Sequence, residues 1–183
     1  MDTAGTVEVR PAESAPRIEY SASASYSVIT VQSSYPMTFG AVTLAYSVWL
    51  PASIELTAGG RVGFGAQLKA GALEGFVAAA VAPHFGSVED DNGRTLAWRP
   101  LGGVELGATT AERQYKGTGP ITADLLGEDQ PGPLYFSFVA RPARFRLTHF
   151  NAAILGVAAG SPTQHFGKVL RLQLELFQVA FVW

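Results

Sequence analysis

The stretch ARPARFRLTH places Arg141, Arg144 and Arg146 within six positions, and the last two fall on one side of a strand. Guanidinium groups in such a row can grip phosphates or carboxylates. The three arginines are therefore the candidate contact for nucleic acid or an acidic partner, set against a plain solvent-facing strand side. The acids Glu55, Glu74, Glu105 and Asp124 could supply the two carboxyls of a glycosidase, although nothing in the sequence selects a pair. His84, His149 and His165 lie in three separate segments without the close pairing of a helical zinc site, and no cysteine completes a ligand set. Glu89, Asp90 and Asp91 are consecutive, so they point in different directions and lack the alternate spacing of a calcium loop; with Asn92-Gly93 they read as a solvated hairpin tip.

GGRVGFGAQ is glycine-rich enough to suggest a phosphate cradle. Leu68 stands where a dinucleotide motif needs its third glycine, however, and no Gly-Lys-Ser/Thr follows, so the stretch reads as a turn. There is no Gly-x-Ser-x-Gly elbow for a serine hydrolase. The residues thus predict no catalytic set, no cofactor and no metal, and the chain is expected not to be an enzyme.

Composition narrows the remaining classes. Charged residues make up 15% of the 183 and hydrophobic residues 48%, against roughly 25% charged in an ordinary soluble protein. A surface so short of charge points toward assembly with neighbours. The net charge of -2 and pI near 5.9 argue against a dedicated nucleic-acid binder. With no cysteine, disulfides and thiolate chemistry are excluded. The start, MDTAGTVEVR, is acidic and lacks an apolar signal region, which predicts a chain made and kept in the cytosol. No apolar run approaches the roughly 18 residues a membrane helix needs.

The elements that would position these residues are nearly all strands. Residues 1–19 hold two prolines and no sustained periodicity, and are expected to form an extended arm before a single domain over 20–183. YSASASYSVITV (20–31) alternates serines with Tyr20, Tyr26 and Val28; AVTLAYSVWL (41–50) sets Val42, Leu44, Tyr46, Val48 and Leu50 against small and polar residues before Pro51 ends it. The Gly59-Gly60 pair after ASIELTA signals a hairpin turn, as does Asn92-Gly93 before TLAW. GALEGFVAAAVAP is the one segment that suits a helix, with a short strand nearly as well supported. Residues 107–133 form a long Gly- and Pro-rich connection, followed by LYFSFVA, RFRLTHF and NAAILGVAAG.

The last segment, LRLQLELFQVAFVW (170–183), changes character along its length. Leu170, Leu172 and Leu174 alternate with Arg171, Gln173 and Glu175; beyond Leu176, Phe177, Val179, Phe181 and Trp183 make the formerly polar face apolar. A bulge near Leu176 and Phe177 would split the stretch, or the strand overruns its domain into an interface. Burial of each large side chain contributes about 1.5–3 kcal/mol, so Phe177, Val179, Phe181 and Trp183 are the candidate interface. Roughly eight short strands with Gly/Pro turns predict an all-β, antiparallel two-sheet β-sandwich of jelly-roll type, with an immunoglobulin-like sandwich or a closed barrel as alternatives.

VTLAYSVWLPASIELTAGGRVGF (42–64), continued by GRTLAWRPLGGVEL, resembles the lectin-like jelly roll of some polysaccharide lyases. That resemblance implies carbohydrate contact through Tyr46, Trp49 or Trp98, without counterparts of the family's catalytic residues. The whole chain also resembles the single jelly-roll coat proteins of icosahedral viruses: an irregular arm, many short strands, a Gly/Pro-rich connection and an aliphatic terminal strand. This second resemblance implies a structural subunit of a virus or phage capsid that self-associates through its arm and terminal strand. It also implies coat subunits and packaged nucleic acid as partners, and the virion, after synthesis in the host cytoplasm, as its location. A carbohydrate-binding module is the alternative.

Overall fold

Period-two alternation runs through almost the whole chain, and the computed structural model turns nearly all of it into strand; it describes residues 18–33, 36–89, 95–114 and 133–183. The strands are β1 (Glu19–Gln32), β2 (Met37–Leu50), β3 (Ile54–Phe64), β4 (Ala72–Val81), β5 (Phe85–Glu89) and β6 (Thr95–Trp98), then β7 (Leu101–Thr109), β8 (Leu134–Arg141), β9 (Ala143–Leu147), β10 (Phe150–Pro162) and β11 (Leu170–Val182). Every pairing is antiparallel, and β11 pairs with both β1 and β10, which closes the sheet on itself.

Three of these strands are continuations of others. Pro83 separates β4 from β5, Pro100 separates β6 from β7 and Pro142 separates β8 from β9; a proline has no N–H to give to a ladder, so each interrupts its strand without turning it. The register survives the break: Ala140 pairs with Val157 in β10 and Ala143 with Ile154. Counted this way the protein is a closed barrel of eight antiparallel strands. The expected two-sheet jelly-roll sandwich is thereby corrected, because a sandwich leaves sheet edges where this wall joins β11 to β1.

Two further expectations change. β3 runs straight through Gly59 and Gly60, so this pair is no turn. A Cβ on Gly59 would lie 2.6 Å from the Phe76 ring and 2.7 Å from the Leu44 carbonyl oxygen; glycine is there to make room inside the wall. GALEGFVAAAVAP forms β4, with Glu74 and Phe76 inward and Leu73 and Val77 outward, an alternation no helix could use. The Asn92-Gly93 turn and most of the 107–133 connection lie outside the described residues, although Glu89 pairs with Thr95 on either side of the former.

The polarity of the wall is reversed from that of a soluble sandwich. Val42, Leu44 and Tyr46 face outward and are 45–67% exposed, whereas Ser21, Ser25, Ser27, Thr43 and Ser47 point inward and are buried. Among the described residues, buried apolar side chains cluster inside at the two ends. At the end reached by the 65–71 and 163–169 connections, Ile29, Val31, Met37, Phe39, Leu68 and Val169 pack together. At the terminal end, where β1 begins and β11 finishes, Trp49, Ala82 and Leu101 do so.

The change of face in the last strand is a bulge. Tyr26 pairs with Phe177 but Ser27 pairs with Glu175, so Leu176 is passed over and both Leu176 and Phe177 face outward. Opposite it in β10, Leu155 takes a left-handed φ of 59°, a costly conformation for a bulky residue.

Close packing of neighbouring strands makes one test. A Cβ at Gly160 would collide with the Phe136 carbonyl oxygen and with Ser137, while at outward-facing Gly75 it would meet nothing within 4 Å. Gly160→Ala is expected to lose about 1–3 kcal/mol of stability in denaturant titration, the usual range for overpacking, and Gly75→Ala to lose none. Equal effects would show that β8 and β10 do not approach as described.

Candidate functional site

Inward positions on strands far apart in sequence converge on one ionic network in the middle of the barrel. Arg61 of β3 donates to both carboxylate oxygens of Glu105 in β7, Nη1 to Oε1 at 2.8 Å and Nη2 to Oε2 at 2.6 Å. Its Nη1 also donates to the Tyr135 hydroxyl at 2.7 Å, and that hydroxyl donates to Glu105 at 3.1 Å. Arg171 of β11 donates to Glu74 of β4 at 2.7 Å, and Arg61 lies 3.5 Å from the same carboxylate. The guanidiniums stack as well, Arg61 at 3.9 Å from the Phe76 ring centroid and Arg171 at 4.0 Å from that of Tyr135. Arg61, Arg171, Glu74 and Glu105 are all but fully buried. Buried charges persist only when paired and hydrogen-bonded, and here each meets an opposite charge.

Nearer the end where β1 begins and β11 finishes, the pattern repeats. Arg144 donates to Glu55 at 2.6 Å, Arg141 holds Glu175 through two bonds at 2.7 and 3.0 Å, and Arg146 grips Glu19 with both Nη groups. Trp49, buried against this layer, has the Arg99 and Arg144 guanidinium carbons at 4.5 and 4.6 Å from its ring. In these two layers five arginines (Arg61, Arg141, Arg144, Arg146, Arg171) pair with five glutamates (Glu19, Glu55, Glu74, Glu105, Glu175), and Arg99 lies over the Trp49 ring, an almost neutral filling. A cavity of about 10 Å³ lies between Arg61, Glu105, Arg141 and Glu175, room for about one water.

The candidate residues therefore divide. Arg141, Arg144 and Arg146 face carboxylates inside the barrel, which corrects their assignment to packaged nucleic acid: a guanidinium already held by Glu175, Glu55 or Glu19 offers no outward row of charge. Glu55, Glu74 and Glu105 are each bound by arginine, and Asp124, Asp90 and Asp91 lie outside the described residues. His84 contacts the Gly86 carbonyl oxygen at 3.1 Å, and among the described residues no three His, Asp or Glu side chains group as metal ligands. Of the three aromatics implied by the lectin-like resemblance, Trp49 is inside, while Tyr46 and Trp98 face outward. Arg61, Arg171, Gln173, Glu175 and Tyr135 are missed by a search for convergent chemistry. Their one signal is that LRLQLE puts charge on alternate positions of a strand.

The outer wall is the complement of this interior. Among the described residues, no outward-facing position of the eight strands carries a charge. Phe177, Val179, Phe181 and Trp183 stand on it 49–56% exposed. Aromatic rings gather around the terminal end: Tyr46 stacks on Tyr20 at 6.2 Å, Trp183 lies 6.1 Å from Tyr46, Phe181 sits 5.4 Å from Phe150, and Phe85 is 5.1 Å from Trp98. Between β3, β4 and β7 small side chains such as Ala58 and Ala79 leave an apolar groove of about 480 Å³ in the wall.

No family model matches the chain, and no curated protein matches it. Among solved structures the chain is similar to Neisserial surface protein A (NspA), at a TM-score of 0.52 and 10% identity, over 90% of this chain and 96% of that one. It is also similar to Ail, the attachment invasion locus protein of Yersinia pestis, in complex with the heparin analogue sucrose octasulfate, at a TM-score of 0.43 and 10% identity over 91% and 99% of the two chains. The likeness to NspA is one of fold, and it corrects the resemblance to viral coat proteins and the lectin-like alternative together. Coat subunits as partners, and the virion and host cytoplasm as locations, fall with the jelly roll they were drawn from: the shared fold is a closed barrel, and in this chain its apolar side chains are turned out.

Proposed function

We propose that this chain is a membrane-embedded β-barrel with a filled lumen, a rigid anchor that displays its connecting segments at one membrane face and carries no catalytic step. The observation that carries the reading is the reversed polarity: arginine–glutamate pairs inside and an uncharged apolar wall outside. In water such a wall would be costly and adhesive, whereas hydrocarbon is its natural solvent, and closure leaves no backbone edge unpaired in lipid. About 9–11 tilted residues cross a bilayer, and the strands of 13 and 14 residues that close the barrel suffice. Tyr20, Tyr46, Trp98 and Trp183 serve as interfacial anchors. Phe177, Val179 and Phe181 are then covered by lipid rather than by a sister subunit, and acyl chains fill the groove beside Ala58 and Ala79. The links at the terminal end are 51–53, 90–94 and 148–149, and those at the other end are 33–36, 65–71, 110–133 and 163–169; the last three of these are longer than any at the terminal end, the asymmetry usual for membrane barrels.

The test is refolding from urea with and without lipid vesicles. The expected result is strand formation and co-flotation with the vesicles, against aggregation in buffer alone; a monodisperse monomer in lipid-free, detergent-free buffer would overturn the reading. In planar bilayers the filled lumen is expected to give no unitary conductance, and sustained single-channel steps would show that the ionic network is not the packed plug described.

A further inference from the structure

Two arginines stand side by side in the layer nearest the terminal end. Arg99 N–H donates to the Arg144 carbonyl oxygen at 2.9 Å, so the two residues are cross-strand partners, and both guanidiniums lie against the Trp49 ring, their central carbons 4.5 and 4.6 Å from its centroid. Like charges placed opposite each other repel. The carboxylates of this layer give Arg99 no relief, because Glu55 is held by Arg144, Glu19 by Arg146 and Glu175 by Arg141. Among the described residues Arg99 forms no ion pair, so the layer carries one cation in excess. The hydrogen-bonding groups are out of balance in the same sense. Trp49 Nε1, Arg99 Nε and Arg144 Nε are buried N–H groups without an acceptor among the described residues, and Asn151 Nδ2, on the strand beside Arg146, is a fourth. In the central layer the unmet groups are of opposite kinds, Arg61 Nε and Glu74 Oε1; here they are all donors.

We propose that this layer is an anion site, which takes a small monovalent anion of the chloride class between the Nε–H groups of Arg99 and Arg144 and the indole N–H of Trp49. Three observations select the ligand. The first is charge: a buried cation persists when it is paired, one unit is unpaired here, and a dianion such as phosphate would overshoot it. The second is hydrogen bonding. A water at this place brings two hydrogens that need acceptors, and the neighbouring Pro142 carbonyl already accepts from Trp98 Nε1 at 2.8 Å; an anion accepts from every donor around it, and such charge-assisted bonds are the strong ones. The third is access. Trp49 and Arg144 are 3% and 2% exposed, whereas Arg99 is partly exposed, so Arg99 forms the side on which an ion enters. The bound anion then screens Arg99 from Arg144 and completes the terminal layer as Glu105 completes the central one. The inference rests on the interior of the barrel and holds whether or not lipid covers its wall.

The probe is chloride itself, followed by the broadening of its NMR line on the full chain in an uncharged detergent. The expected result is an excess linewidth that saturates with chloride and is displaced by bromide. Trp49→Phe, which keeps the ring and removes one N–H, is expected to weaken the apparent affinity about tenfold, the usual cost of a lost hydrogen bond to a charged group, and Arg99→Gln to weaken it by at least as much. Lys69→Gln, an exposed cation at the opposite end, is expected to change nothing. No excess linewidth in the wild type, or the same affinity in Arg99→Gln, would overturn the proposal and leave water to satisfy the donors. A measurement on the wild type alone stands beside it. At equal ionic strength its Tm is expected to be about 3–5 °C higher in sodium chloride than in sodium gluconate when chloride is at about tenfold excess over its Kd, and equal Tm values in the two salts would also sink it. Failure of either leaves vesicle flotation untouched, so the two readings fail separately.

Discussion

Replacing Arg61 with leucine is expected to lower stability by about 3–5 kcal/mol, the cost of stranding a buried partner charge. Arg61 is the hub of the central network, bonded to Glu105 and Tyr135 and lying 3.5 Å from Glu74. Without it Glu105, 2% exposed, keeps the Tyr135 hydroxyl as a donor at 3.1 Å but loses its bidentate cation, while Glu74 keeps Arg171. The double change Arg61→Leu/Glu105→Leu removes both charges and is expected to recover much of the loss, since a buried ion pair often contributes little more than a well-packed apolar pair of similar size. The measurement is urea unfolding in vesicles of the wild type, both single variants and the double variant, read as a double-mutant cycle. A loss under about 1 kcal/mol for Arg61→Leu, with no coupling to Glu105, would mean that water fills the lumen and the pairs are incidental.

Much of the wall is legible in the sequence, and its sidedness is not. Alternation in AVTLAYSVWL and LRLQLE locates strands because side chains change face at every residue. The bulge at Leu176 announces itself where two apolar residues fall together. Periodicity reports which residues share a face, however, and says nothing of which face meets water. Val42, Leu44 and Tyr46 look the same whether they form a core or a wall against lipid. What separates the cases is the company on the other face, where Arg171, Gln173 and Glu175 in one strand need Glu74, Arg141 and Tyr135 in others. Those partners lie as far apart as Glu74 and Arg171, and only closure of the barrel brings them together. The low charged fraction points to a missing cover; sister subunits and lipid leave the same trace in composition. Gly59-Gly60 misleads for a related reason: glycine marks close backbone approach as readily as a turn, and here it admits the Phe76 ring.

Leu44→Arg puts the choice between those covers to a direct test. Leu44 lies midway along β2, 67% exposed on the outer wall, and its cross-strand neighbours Ala24 and Gly60 offer no carboxylate. On a protein surrounded by water this substitution is nearly neutral, within about 0.5 kcal/mol. On a lipid-facing strand an arginine near the bilayer midplane costs about 2–4 kcal/mol, falling to about 0–1 near the interface. Thr38 stands on the same outward row of β2, close to the start of that strand, and so supplies the shallow comparison. Urea unfolding in vesicles is therefore expected to show a loss of about 2–4 kcal/mol for Leu44→Arg and under about 1 for Thr38→Arg. Depth is what lipid imposes and water does not, so small and equal losses at the two positions would mean that something other than hydrocarbon covers the wall.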